Sequence, residues 1–248
     1  MQGRGRQIAA KALAFGLGGL LLAAVADLAI EVARRPKPAT PRVTIGTRDE
    51  IYYSHAATRG DAAALGDALR RLGYFRDSGA TVLLSRNAGG RVVSFVVQDG
   101  LWNRPEAVRS FEEIGRRIAR TIGGFPVEIR LVDSSWKVEK TVQVGQVRIG
   151  ARDEIYYLGS ATEADAESLG RALRAAGYLK DLGVSVSVSK GNGTEIGFVV
   201  GEGVGRQPES AARFAQLARA VAPSVGGLPL RVELLSPQME LESAVEVR

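Results

Sequence analysis

The chain contains no cysteine and a single histidine, His55. The first absence excludes disulfides, thiolate-held metals and a cysteine nucleophile, and the second excludes any site built on two imidazoles. Zinc-ligand spacing and the phosphate loop GxxxxGK[ST] are also missing. "GLGG" (Gly16–Gly19) lies inside an apolar segment, and "GEGVG" lacks the strand-to-helix setting of a dinucleotide fingerprint. These absences lead to the expectation of no cofactor and no bound metal.

Positive charge is plentiful, but not where a nucleic-acid groove needs it. The net charge is +6. Residues 1–42 hold Arg4, Arg6, Lys11, Arg34, Arg35, Lys37 and Arg42 against Asp27 and Glu31, which is +5, so the remainder carries only +1. A groove that neutralises several phosphates needs basic charge concentrated on the folded part, so no nucleic-acid partner is expected.

The apolar run Ala12–Ala26 has 15 residues, short of the roughly 20 of a typical membrane helix. Extended to Ala33 it is long enough, with Asp27 and Glu31 near its far end and Glu31 at helical pairing distance from Arg35. One reading is a single-pass membrane anchor over residues 13–33. A second is a signal peptide cleaved after Ala26, since Ala24-Val25-Ala26 is an A-x-A site. A third is an ordinary apolar helix. Basic residues flank the run on both sides, so charge does not set its orientation. "RRPKPATPR" reads as a stiff linker.

"RDEIYY" occurs at Arg48–Tyr53 and again at Arg152–Tyr157. The match extends through "LGDALRRLGYFRDSG" and "LGRALRAAGYLKDLG", "SFVVQDG" and "GFVVGEG", and "IGGFPVEIRLVDS" and "VGGLPLRVELLSP". Self-similarity of this length is the mark of a duplicated folding unit. The expected organisation is 1–42 as anchor or signal segment plus linker, 43–144 as repeat one and 145–248 as repeat two.

Each repeat reads in the same order. A strand at "EIYYS" or "EIYYL" precedes a helix capped by Thr58 or Thr162, with Asp61 or Asp165 three residues on. A glycine-turned hairpin follows. A second helix opens at Pro105 or Pro208 and is followed by the strand "VEIRLVD" or "LRVELLS", with a last alternating run after it. The expected fold class is α+β: two tandem copies of a ferredoxin-like β-α-β-β-α-β unit, each an antiparallel sheet with helices on one face, preceded by an N-terminal hydrophobic helix. With almost no linker and opposite net charges on the copies, repeat one is expected to pack on repeat two.

The repeated hexapeptide has two readings. In one it is a strand former whose tyrosines and isoleucine fill a core or sheet surface. In the other, Arg48, Asp49, Tyr52, Arg152, Asp153 and Tyr156 form a ligand-binding strip of guanidinium, phenol and carboxylate groups suited to sugars, peptides or acidic groups. No catalytic residue is assigned. His55 aligns with Gly159 and stands outside the repeated design, and no convergent set of titratable groups is evident.

The motifs "DEIYY", "LG-x-AL", "FVV" and "GG-x-P" resemble an uncharacterised bacterial domain that recurs in membrane-associated proteins, and both copies match it over nearly their whole length. The layout is more remotely similar to SPOR domains, periplasmic modules that follow a membrane anchor and bind peptidoglycan glycan strands. These likenesses imply a non-enzymatic, membrane-anchored tandem-repeat binding or scaffold module at the bacterial cell envelope. The folded part would be extracytoplasmic, or secreted after cleavage at Ala26, with an envelope protein or glycan as partner. The alternative is a carboxylate-dependent hydrolase or transferase.

Overall fold

The computed structural model describes residues 40–248 apart from 88 and 89. The apolar segment 13–33, and with it the expected N-terminal helix, lies outside the described residues. Among the described residues no helix is long and apolar enough to cross a membrane.

Both capping boxes form. Thr58 and Thr162 accept from the backbone N–H of Asp61 and Asp165, whose carboxylates accept from the threonine N–H in return. They open α1 (Arg59–Arg71) and α3 (Glu163–Ala175). Prolines in the first turn open α2 (Pro105–Ala119) and α4 (Pro208–Val221).

The strands are β1 (Arg42–Ile45), β2 (Asp49–His55), β3 (Thr81–Asn87), β4 (Gly90–Val96), β5 (Val127–Val132) and β6 (Val138–Ile149), then β7 (Asp153–Gly159), β8 (Ser185–Lys190), β9 (Thr194–Val199), β10 (Leu230–Leu235) and β11 (Leu241–Val247). They form one 11-stranded sheet in chain order. Each helix joins neighbouring parallel strands, β2 to β3, β4 to β5, β7 to β8 and β9 to β10, and every other neighbouring pair is antiparallel.

This overturns the expected pair of ferredoxin-like units. In that layout the helical crossovers step over an intervening strand; here each lands beside the strand it left, which makes the sheet mixed rather than antiparallel. The terminal runs are also full members of the sheet. The 12-residue β6 is shared: Val138–Val144 pairs with β5 and Gln143–Ile149 pairs with β7. The expected boundary between 144 and 145 falls inside this strand.

Sharing β6 has a geometric consequence. In the first half Ile51, Val82, Phe95 and Leu131 lie side by side on the face that α1 and α2 cover. Val142 and Val144 of β6 belong to that core. In the second half Ile155, Val186, Phe198 and Leu234 lie on the face covered by α3 and α4, joined by Val147 and Ile149. Residues 144 and 147 differ by an odd number, so they point to opposite faces of one strand. The two helical layers therefore lie on opposite faces of the sheet. A chiral unit reused with the same strand order but reversed strand direction has to turn its helices over.

Within each half the two helices share a face although their parallel strand pairs run in opposite directions. The two crossovers of each half thus have opposite hands, and the left-handed one departs from the usual right-handed rule. Gly145 serves the junction. A Cβ there would stand 1.8 Å from the Tyr157 ring, so only glycine lets that ring lie across β6.

Candidate functional site

The repeated hexapeptide holds a latch between two turns. Asp49 is 1% exposed, and its carboxylate accepts from the backbone N–H groups of Asp77, Gly79 and Ala80 at 2.7, 2.9 and 2.9 Å. Asp77 in turn accepts from the N–H groups of Thr47 and Arg48. Asp153 and Asp181 repeat the arrangement with Gly183, Val184, Ala151 and Arg152. Burial pushes the Asp153 carboxyl up, but the backbone donors outweigh it and hold it below the usual carboxylate range. Arg48 and Arg152 contribute their backbone to the latches, and both residues are exposed.

Tyr52 and Tyr156 also have matching local roles. Each phenol donates to the glutamate two residues before it, Glu50 at 2.8 Å and Glu154 at 2.6 Å. Both residues are 4% exposed. Because the second half is turned over, they lie on opposite faces of the sheet. The structure therefore does not bring the six residues together on one surface. Tyr52 meets Trp136 edge-on, at 6.2 Å between ring centroids. Tyr156 meets Phe125 at 5.7 Å, and the Arg116 guanidinium lies 5.3 Å from its ring centroid. Burial and the bond to Glu154 push the Tyr156 phenol up to about 12, so it stays a neutral donor.

Arg116 and Phe125 belong to the first half, and their contacts with Tyr156 mark a seam. The open face of the second half-sheet lies on the same side as α2, and α2 leans over it. Arg109 donates to Glu195 on β9 and, at 3.2 Å, to Glu233 on β10. Arg117 donates to the carbonyl of Gln238 at 2.8 Å, and Arg120 reaches Glu154 at 3.4 Å.

Between α2 and this face lies a cavity of about 490 Å³, walled by Trp102, Arg109 and Glu112 on one side and Lys140, Lys190 and Glu195 on the other. A smaller one of about 120 Å³ continues beneath the helix to Ser187, Glu233 and Leu235. Glu112 lines both. It is 6% exposed and has no hydrogen-bond or ion-pair partner among the described residues. Burial and the nearby Glu195 carboxylate push its pKa up to about 7, against the pull of Arg109 and Lys140. Glu195 is also raised, because burial outweighs its pairing with Arg109. Near neutral pH the cleft thus holds a carboxyl group that either donates or accepts a hydrogen bond, beside an indole ring and an arginine-paired carboxylate.

His55 is exposed, with Nδ1 3.0 Å from the Ser54 hydroxyl. It adopts φ +59, like Gly159 at +66 in the second half, so it occupies a repeated backbone turn. Among the described residues no three His, Cys, Asp or Glu side chains converge to hold a metal ion.

The cleft residues escape a reading based on what the repeats share, because they are what the repeats do not share. Arg109 and Glu112 align with Ala212 and Ala215, Glu195 with Val92, and Glu233 with Arg130. The available signal was polarity changing between copies at otherwise matched positions, which a search for repeated motifs passes over. The chain matches no protein-family model and no curated protein sequence, so the site is read from its own residues.

Proposed function

We propose that the chain is a non-enzymatic binding module, anchored through residues 13–33 at the bacterial cell envelope, whose ligand occupies the cleft between α2 and the open face of the second half-sheet. The observation that carries this reading is Glu112: a residue 6% exposed, without a hydrogen-bond or ion-pair partner among the described residues, that lines a cavity of about 490 Å³. A carboxyl group held against a cavity wall without a protein partner is free to hydrogen-bond what enters the cavity. The size suits a small polar ligand or one residue of a glycan or peptide.

The test is titration of the full chain with glycan fragments, short peptides and small polar metabolites, followed by heteronuclear NMR. Resonances of Trp102, Glu112 and Glu195 shift together if the cleft is the site. Saturable binding that leaves them unmoved rejects it.

Glu112 also supports a second reading, a carboxylate-dependent hydrolase or transferase. A carboxyl with a pKa near 7 beside a second carboxylate suits general acid–base work. Turnover of glycosidic or acyl substrates that disappears in Glu112→Gln and falls on both sides of neutrality would favour it over simple binding.

A further inference from the structure

We infer that the ligand of this cleft is an organic cation, a molecule presenting an alkylammonium or guanidinium group that sits between Glu112 and Glu195. The inference rests on the cleft being a binding site and adds the chemical class of its occupant.

The three carboxylates of the cleft differ in how many cations they hold. Glu233 receives two guanidinium groups, from Arg109 at 3.2 Å and from Arg231 at 3.1 Å. Glu195 receives one, from Arg109. Glu112 receives none among the described residues. The other cations nearby are committed elsewhere or stand off: Lys190 pairs with Asp165 at 2.6 Å, Arg116 pairs with Glu113 at 2.6 Å, and Lys140 lines the cavity without an ion pair among the described residues. A bound cation completes the series, because a carboxyl group only 6% exposed that opens onto the cavity gains from a charged partner seated there. Trp102 also lines the cavity, and an indole ring attracts cations. A metal ion does not fit, since these carboxylates do not converge as a metal site.

The groups facing Glu112 are Arg109 on its own helix, Lys140 on β6, Glu195 on β9 and Glu233 on β10. Their balance leaves it titrating near neutrality, so a cation that needs the ionised form displaces a proton on binding.

The test uses the full chain and matched ligand pairs in which acetylation removes the charge: 1,5-diaminopentane and its diacetyl derivative, and a lysine-containing tripeptide, capped at both ends, with and without Nε-acetylation. Alkylamines stay protonated from pH 6 to 8, as lysine does. Calorimetry is expected to show the charged member binding at least tenfold more tightly in one or more pairs. Affinity should rise about tenfold from pH 6 to 8, with release of about half a proton at pH 7. Glu112→Gln should lose the pH dependence and the proton release while melting no lower than the parent. Equal or tighter binding of neutral members overturns the cation inference and leaves the binding-module reading standing. No binding by any pair also overturns the cation inference; if the broader panel leaves the cleft resonances unmoved as well, the binding-module reading falls with it.

Discussion

The Arg116 guanidinium on α2 lies 5.3 Å above the ring of Tyr156 on β7, with Phe125 5.7 Å from the same ring. Three side chains drawn from both copies thus close the seam on the face that holds the cleft. The matching position to Phe125 in the second copy is Leu228, which is 45% exposed. Phe125→Ala should therefore cost about 1–2 kcal/mol of stability, less than a fully buried phenylalanine because Phe125 is only partly buried. Leu228→Ala should stay within about 0.5 kcal/mol. Urea unfolding of the two variants checks the asymmetry.

Gly145→Ala should be among the most damaging single-methyl additions in the chain. The new Cβ would overlap the Tyr157 ring, which is 7% exposed and packed in the second core. The expected loss is about 3 kcal/mol or more, since neither the strand nor the ring has room to shift. Gly191→Ala, in open space at the β8–β9 turn, serves as the control. Thermal melts of the two variants should differ by many degrees.

The Asp153 latch makes a pH prediction. Asp153 has its pKa depressed in the folded state, so its stabilisation is complete above the unfolded value of about 3.9 and fades as pH falls through the folded one. Asp153→Ala should cost about 3 kcal/mol at pH 7, because three buried backbone donors lose their acceptor. The difference from the parent should shrink at pH 2. A constant difference across this range would show that the carboxylate charge is not what the donors need.

Glu112 makes the opposite prediction. Its pKa is raised to about 7 on folding, so ionising it costs stability as pH climbs from the unfolded value toward and past neutrality. Glu112→Gln should leave stability nearly unchanged at pH 4 and raise it by about 3 kcal/mol at pH 9. Chemical unfolding at the two pH values measures the gap. It is expected to close when the cleft's ligand is present in the parent protein.

Local chemistry makes several features legible in the residues alone. Thr58 and Thr162 with their aspartates announce two helix starts, and the glycine-rich turns mark two hairpins. The glycine pairs of the "GG-x-P" motif fall at φ values from +92 to +109, which only glycine adopts readily. The cleft is not legible in this way, because Glu112 and Glu195 stand 83 positions apart in the chain and each resembles a solvated surface acid when read alone. Nor does the sequence distinguish a core role for Asp49 from a binding one. That depends on Asp77, Gly79 and Ala80 turning their N–H groups toward it.

By itself the sequence determined the duplication, the order of helices and strands from β2 onward though not the strand before it (β1, Arg42–Ile45), and the caps and turns that bound them, since these depend on spacing and on neighbours a few residues away. Tertiary structure decided the pairing of strands in chain order, the fusion of both copies through β6 and the turning of the second helical layer to the other face. Periodicity records which residues alternate, not which strand lies beside which, and a pleated strand offers both its faces and both its edges equally. Once β6 was shared, the reversed direction of the second half carried its polar face under α2, and that contact brought Arg109, Glu112, Glu195 and Glu233 around one cleft.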